Sequence, residues 1–461
     1  FSMTTMASVL LLLALSTTAA ATKDDYEITS LPGLEATLSF KQYAGLMPLQ
    51  DDAGTEMFFW FVESQRNPRE DPVVFWTNGG PGSSSVAYGF WTEHGPFRLE
   101  RNNAGQVVPA VYDYSWNRIA NVVYLEMPTG VGFSSSRDPA AYTNITDEQS
   151  AIESHTFLRR FFEVFSDFKS NPFYVTGESY GGHYVPNLSE KLLDDDLGLD
   201  VKGFLIGNPG INSDWYYNVN EYAFVTFMWS HGLIPAREYL DAHTVCGWER
   251  FFTNCTEDFT HPSAECQNAT AAAVSLIPKP LDLYDVLAPT CQSNSQRAHV
   301  PFVRHMREKY GIETYDPCIT DLTPEYINSP EVMKALHIDT TDRTWPQTPR
   351  EWSYNQGSAG EKKDIRQLFP RFFKEAPAWK IWVVSGTADA AVPFLGTERW
   401  MNCLGRKRVG EYRPWYVNKD VAGMVMDWEG ISLVTVKGCG HTIPTYCPEK
   451  GYVFFSNYLA A

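Results

Sequence analysis

Basic residues are scarce in this 461-residue chain. Lys and Arg number 37 against 55 Asp and Glu, a formal net charge of −18. Without a basic excess there is little to neutralise phosphates, so nucleic acid is excluded as a main partner. Long apolar runs are missing too. The nearest to one is ASVLLLLALSTTAAA, residues 7–21, too short to span a bilayer. A short apolar core followed by small residues reads instead as a secretory signal peptide over residues 1–22. There is no HExxH and no paired CxxC, so the common zinc signatures are absent, and neither a metal nor another cofactor is expected. Internal repeats and low-complexity tracts are lacking as well, which removes solenoids and arrays.

What is present is a globular composition, 44% hydrophobic and 14% aromatic, with enough residues for a large core. Eight cysteines suggest disulfides and an oxidising compartment. Cys246, Cys255, Cys266 and Cys291 cluster, whereas Cys318, Cys403, Cys439 and Cys447 are spread downstream. Four N-x-S/T sequons, at Asn144, Asn187, Asn254 and Asn268, are candidate glycosylation sites. Together these features predict the secretory pathway, with an extracellular or lysosomal/vacuolar destination. A homodimer is left open.

The front half alternates two periods. Residues 56–63 (EMFFWFVE), 71–78 (DPVVFWTN), 121–127 (NVVYLEM) and the run beginning at Phe173 read as strands, as do residues 201–206. Between them, Leu158, Phe161, Phe162, Phe165 and Phe168 keep helical spacing, and Thr146 with Gln149 stands in capping-box register. Strand and helix in alternation predict a mostly parallel central sheet flanked by helices. After Asn208-Pro209-Gly210 that rhythm stops. Residues 211–360 read as an inserted cap region, in which Ser329-Pro330 marks a helix start. The rhythm resumes with strands at 378–384 and 431–436 and a closing helix at 449–459. The chain thus divides into a first core part (23–210), the cap, and a second core part (361–461).

GESYG, residues 177–181, follows the Phe173 strand and fits G-x-S-x-G. That pattern marks a tight strand-to-helix turn that lifts a serine hydroxyl out of a sheet. A serine needs a base to take its proton, and on the α/β-hydrolase fold the order is serine, acid, histidine. Asp389 follows the strand at 378–384, and His441, the one histidine after Asp389, follows the strand at 431–436. Asp420 and Asp427 are rival acids, set aside because they precede a strand. An oxyanion site needs two backbone N–H donors, one from Tyr180 and one from the loop WTNGGPGSSS, residues 76–85, where Gly79 and Gly80 permit close approach.

In these segments the sequence resembles the serine carboxypeptidases. The resemblance runs through NGGPG (78–82), TEHGPF (92–97), GESYGG (177–182), YDPC (315–318), the Asp389 loop and GHTIP (440–444). It implies an α/β-hydrolase fold and removal of single residues from peptide C-termini at acidic pH. Ser179, Asp389 and His441 would be the triad and the Gly80 and Tyr180 amides the oxyanion hole. Asn78 and Glu178 would hold the substrate's terminal carboxylate, with Glu93 in support. Two ionised carboxylates side by side repel; sharing one proton, they bond strongly, so Glu178 should titrate above the roughly 4.3 of free glutamate.

Two positions depart from the family pattern. Ser83 stands where members commonly have a cysteine bridging the YDPC segment, so Cys318 must pair differently or remain free. Thr387 stands where an acidic residue is frequent. An acyltransferase of the serine carboxypeptidase-like type and a general esterase or lipase are the competing readings. Glu178 argues against the first, since such transferases tend to have aspartate there.

Overall fold

The computed structural model describes residues 21–49, 53–143, 145–211, 219–251, 254–255, 262–289, 322–339, 343–345, 352–355 and 364–460. Residues 1–20 of the expected signal peptide, and Asn144, Cys291 and Cys318, lie outside them.

Among the described residues twelve strands form in chain order: β1 (Gln42–Pro48), β2 (Glu56–Val62), β3 (Val73–Thr77), β4 (Phe97–Arg101), β5 (Val107–Val111), β6 (Asn121–Leu125), β7 (Pro172–Glu178), β8 (Asp200–Gly207), β9 (Lys380–Gly386), β10 (Arg408–Val417), β11 (Asp420–Trp428) and β12 (Ile431–Val436). Ten of them make one sheet in the order β1-β2-β6-β3-β7-β8-β9-β12-β11-β10, and β4-β5 is a separate hairpin. From β6 to β12 every neighbouring pair is parallel; the flanking pairs are antiparallel.

A parallel sheet must be covered on both faces, and β2 shows how the sequence arranges it. Along EMFFWFV every residue after Glu56 is buried. Phe59 and Phe61 point into one core, where they meet Phe157, Phe161 and Phe165. Phe58 and Trp60 point into the other, with Trp76, Trp91, Trp116 and Tyr124. Helix α1 (Asp147–Val164) covers the first face, its start capped by Thr146 accepting from the Gln149 amide. The predicted helix to residue 168 breaks at Phe165 and ends in a 3-10 turn, Ser166–Phe168. Helix α2 (Gly181–Asp194) follows β7 directly.

Among the described residues between β8 and β9 lie α3 (Val219–Ser230), α4 (Ala236–Cys246), α5 (Ala264–Val274) and three short α-helices, Thr323–Ile327, Pro330–Ala335 and Phe369–Glu375. Ser329 caps the second of these by accepting from the Val332 amide. Disulfides Cys246–Cys266 and Cys255–Cys403 hold this segment, and Cys439–Cys447 lies near the C-terminus. Sequence pattern missed β1, the β4–β5 hairpin and the β10–β11 hairpin. β10 is exposed along most of its length, so it carries little apolar alternation to read. Asp420 and Asp427 belong to β11 itself and not to a loop at a strand end.

Candidate active site

At the end of β7 the chain turns through Ser179 with φ of 58°, a region side chains rarely adopt. The turn closes because Gly177 and Gly182 carry no side chain where the chain packs tightly. A Cβ on Gly177 would lie 2.6 Å from the Thr77 carbonyl oxygen, and one on Gly182 2.3 Å from that of Gly210. The Ser179 amide donates to Gly207 O (2.9 Å), and the Gly210 amide donates to Ser179 O (3.0 Å). The serine is thereby held at the C-terminal edge of the sheet, just before α2.

Asp389 and His441 follow β9 and β12, which pair in parallel, so the two loops leave the same edge side by side. His441 Nδ1 is 2.7 Å from Asp389 Oδ2. A carboxylate oxygen accepts, so Nδ1 carries the proton and Nε2 is left as the basic nitrogen. Nε2 is buried and has no hydrogen-bond partner among the described residues. Ser179 Oγ and Nε2 are not hydrogen-bonded in this structure; such bonds commonly close only around a substrate.

Asp389 is richly supplied with donors. Oδ2 also accepts from Asn208 Nδ2 (2.6 Å), and Oδ1 accepts from the amides of Ala391 (2.8 Å) and Val392 (3.0 Å). Asn208 was read from sequence only as part of a turn. Its place at the end of β8, next to β9, was the available signal. A second contributor comes from inside the expected cap. The Leu283 carbonyl accepts from Ala390 and Ala391 (both 3.0 Å), and the Tyr284 carbonyl accepts from the His441 amide (2.6 Å). One short segment therefore laces the acid loop to the histidine loop.

The second constellation is built on Asn78, two residues beyond Trp76 of β3. Asn78 Oδ1 accepts from Trp76 Nε1 (2.7 Å) and the Gly89 amide (3.0 Å), which orients the side-chain amide. Its Nδ2 then faces Glu93 Oε1 (2.8 Å) and Glu178 Oε1 (2.9 Å). Glu93 arrives on a π-helical turn, Val86–His94, a wide winding often found at functional sites. Burial pushes Glu93 up to about 7. Burial, and then the Glu93 charge, hold Glu178 well above the usual carboxylate range. The two carboxyl groups are coupled and titrate as a pair.

The NGGPG loop lies directly on the elbow: a Cβ on Gly79 would sit 2.2 Å from the Tyr180 amide nitrogen. Behind it, Asp147 accepts from Tyr180 Oη (2.9 Å), Tyr354 Oη (2.6 Å) and His183 Nδ1 (2.9 Å). Neither Asp147 nor His183 was singled out from sequence. Glu126, also unforeseen, is wholly buried beside the same loop, accepts from Ser84 Oγ (2.7 Å) and Trp345 Nε1 (3.1 Å), and is pushed by burial up to about 7.

The sequons fall differently. Asn268 is exposed on α5, and Asn254 is half-buried. Asn187 is 2% exposed within α2, its amide donating to the His183 carbonyl, so the expectation of a glycan there is corrected: the packing leaves no room for one. No helix among the described residues is long and apolar enough to cross a membrane.

A mostly parallel sheet with a serine elbow at its C-terminal edge, followed in chain order by an aspartate loop and a histidine loop, defines an α/β-hydrolase. The model of the serine carboxypeptidase family matches residues 32–461, and the chain belongs to that family. It is 34% identical over 438 residues to serine carboxypeptidase-like 26 of Arabidopsis thaliana, covering 94% of this chain and 92% of that protein. Serine carboxypeptidase-like 27 of the same plant is 33% identical over 470 residues, covering 98% and 97%. The fold is shared with the crystal structure of Kex1(delta)p, a prohormone-processing carboxypeptidase from Saccharomyces cerevisiae. There the TM-score is 0.70 at 19% identity, covering 95% of this chain and 96% of that one.

Proposed function

We propose that this protein is a serine-type carboxypeptidase that releases single C-terminal amino acids from peptides at acidic pH. Ser179 attacks the last peptide carbonyl while His441 Nε2 takes its proton. The Gly80 and Tyr180 amides receive the developing oxyanion. His441 returns the proton to the leaving amino acid, and water then releases the shortened peptide by the same route. Asp389 keeps the imidazole in the tautomer this requires.

The observation that carries the exopeptidase reading is the Asn78–Glu93–Glu178 cluster, placed immediately before the nucleophile. Two buried carboxyl groups sharing one proton can receive a third carboxylate through a short, strong hydrogen bond. Two charged ones would repel it. The Asn78 amide is already presented to the group. A general esterase has no need of this arrangement. The family's usual route, and the cysteines and sequons, support the secretory pathway with an extracellular or lysosomal/vacuolar destination.

The test is incubation with an N-blocked dipeptide, as free acid and as amide, at pH about 5. Release of a free amino acid from the acid form, with the amide much slower, is the expected result. Equal rates on both forms would favour the esterase reading. Inactivity toward water, with ester formation when an alcohol is supplied, would favour the acyltransferase.

A further inference from the structure

We propose that the Cys439–Cys447 disulfide is a positioning element for His441, so that opening it slows the reaction at Ser179 while the fold persists. The proposal rests on the reading of Ser179, Asp389 and His441 as the triad.

The three described disulfides differ in what they enclose. Cys255–Cys403 spans 148 residues and ties the segment between β8 and β9 to the end of the helix Phe394–Asn402. Cys246–Cys266 joins the end of α4 to α5 across 20 residues. Cys439–Cys447 spans eight, and His441 lies inside that ring. In the chain-entropy account, stabilisation through the unfolded state grows with the loop closed. The shortest ring therefore contributes least to global stability, and its effect falls on what it contains.

The ring touches each wall of the site. The Cys439 carbonyl accepts from the Ala388 amide (2.9 Å), one residue before Asp389. A Cβ on Gly440 would lie 2.2 Å from the Tyr284 carbonyl oxygen, and the His441 amide donates to that same oxygen. Thr445 Oγ1 donates to the Thr92 carbonyl (2.8 Å), beside Glu93, and Tyr446 Oη donates to Asp282 Oδ2 (3.0 Å). The disulfide joins the two ends of this stretch, the exit of β12 and the entry to the closing helix Pro448–Ala460. With both ends tied, the path that carries the imidazole has little freedom to swing.

Cys439 is fully buried and Cys447 half-buried, so a small thiol reaches the pair from the Cys447 side. A dithiol opens it by attack on Cys447 Sγ. The Cys439 thiolate leaves and takes a proton, then the second reductant thiol closes on the mixed disulfide and frees Cys447. Two electrons and two protons pass to the protein, and the reductant becomes a cyclic disulfide.

The test removes both sulfurs in Cys439→Ala/Cys447→Ala and compares it with Cys246→Ala/Cys266→Ala. For each, kcat and KM on the N-blocked dipeptide and the rate of Ser179 phosphonylation are measured. The expected result is a kcat lower by about tenfold to a hundredfold in the first variant. KM stays near the wild-type value, phosphonylation slows in parallel, and the control pair changes little. Unchanged kcat and phosphonylation in the first variant, or equal losses in both pairs, would overturn the proposal. If the first variant does not fold, the wild-type enzyme is treated with dithiothreitol and alkylated. Activity lost on reduction in step with exposure of the Cys447 thiol, which alkylation of quenched samples counts, and regained when reduced but unalkylated enzyme is reoxidised, supports the proposal; full activity with both sulfurs alkylated sinks it. A wild-type enzyme that resists phosphonylation altogether would instead remove the triad reading.

Discussion

Two groups of buried carboxylates sit within one site and are treated in opposite ways. Asp389 is 0% exposed and accepts four hydrogen bonds, from His441, Asn208 and two backbone amides. Glu93 and Glu178 are equally buried but share the Asn78 amide, and Glu93 Oε2 has no partner of its own among the described residues. Donors are what make a buried negative charge tolerable. Where they converge, as on Asp389, the carboxyl is held against His441, and on the proposed mechanism it steadies that histidine when it becomes cationic. Where they are rationed, burial favours the protonated form, and on the proposed reading the pair becomes a receptor for another acid. Burial alone does not set the role; the supply of N–H and O–H groups does.

That contrast can be broken most forcefully at Asp389. Asp389→Asn retains the shape but turns a donor toward Nδ1, reversing the tautomer. Turnover of an N-blocked dipeptide should fall by roughly 10⁴-fold with little change in KM. A loss under about tenfold would mean that the donor-rich pocket has no catalytic purpose. Next comes Glu178→Gln. The amide cannot share a proton, so kcat/KM for a free-acid dipeptide should drop by about ten- to a hundredfold. An ester substrate lacking the carboxylate should lose much less.

The same pair sets the sign of the pH dependence. Glu93 in the folded chain is raised by burial to about 7 against an ordinary 4.5, and Glu178 is held well above its ordinary value by burial and the Glu93 charge. A raised carboxyl binds its proton more tightly folded than unfolded. Its contribution to stability is therefore complete below the unfolded value and is lost as pH rises through the folded one. Urea midpoints measured from pH 4.5 to above 7 should decline, and Glu93→Gln should flatten that decline. Peptidase activity should fall over the same upper range, because ionisation of the pair puts negative charge where the substrate's carboxylate would dock. A slope unchanged by the substitution would place the ionisation elsewhere.

The smallest effect belongs to Glu126, raised to about 7 by burial and bonded to Ser84 and Trp345 and not to any residue of the proposed triad. Glu126→Gln reproduces the protonated form and keeps an oxygen for Ser84 and Trp345. Turnover should stay within about twofold. Stability above neutral pH should rise by about 1 kcal/mol, read from the thermal midpoint. A large loss of activity would make Glu126 a third functional carboxyl and blur the contrast.

Much of this was legible in advance, for identifiable reasons. β7, the Ser179 elbow and α2 are contiguous, so glycine placement and apolar runs describe them completely. The order Ser179, Asp389, His441 was readable because each follows a mostly buried apolar run that forms a strand. Strand ends moved by a residue or two, since the last residues of a strand depend on their neighbours and not on their own pattern. The β10–β11 hairpin was missed because an exposed edge strand has no apolar face to betray it. Asn187 was misjudged because a tripeptide says nothing of which helix face it will occupy.

The partners of each carboxyl belong to a different order of information. Asn208 lies 181 residues from Asp389, and Asn78 lies 100 from Glu178. Amino-acid order alone was enough to single out Ser179, Asp389 and His441 as the candidate triad, because hydrophobic period and turn chemistry act between chain neighbours. Which carboxyl receives donors and which must carry a proton was settled only by packing. Desolvation and hydrogen bonding depend on what is brought alongside in space, and the parallel sheet, by delivering distant strand ends to a single edge, makes that choice.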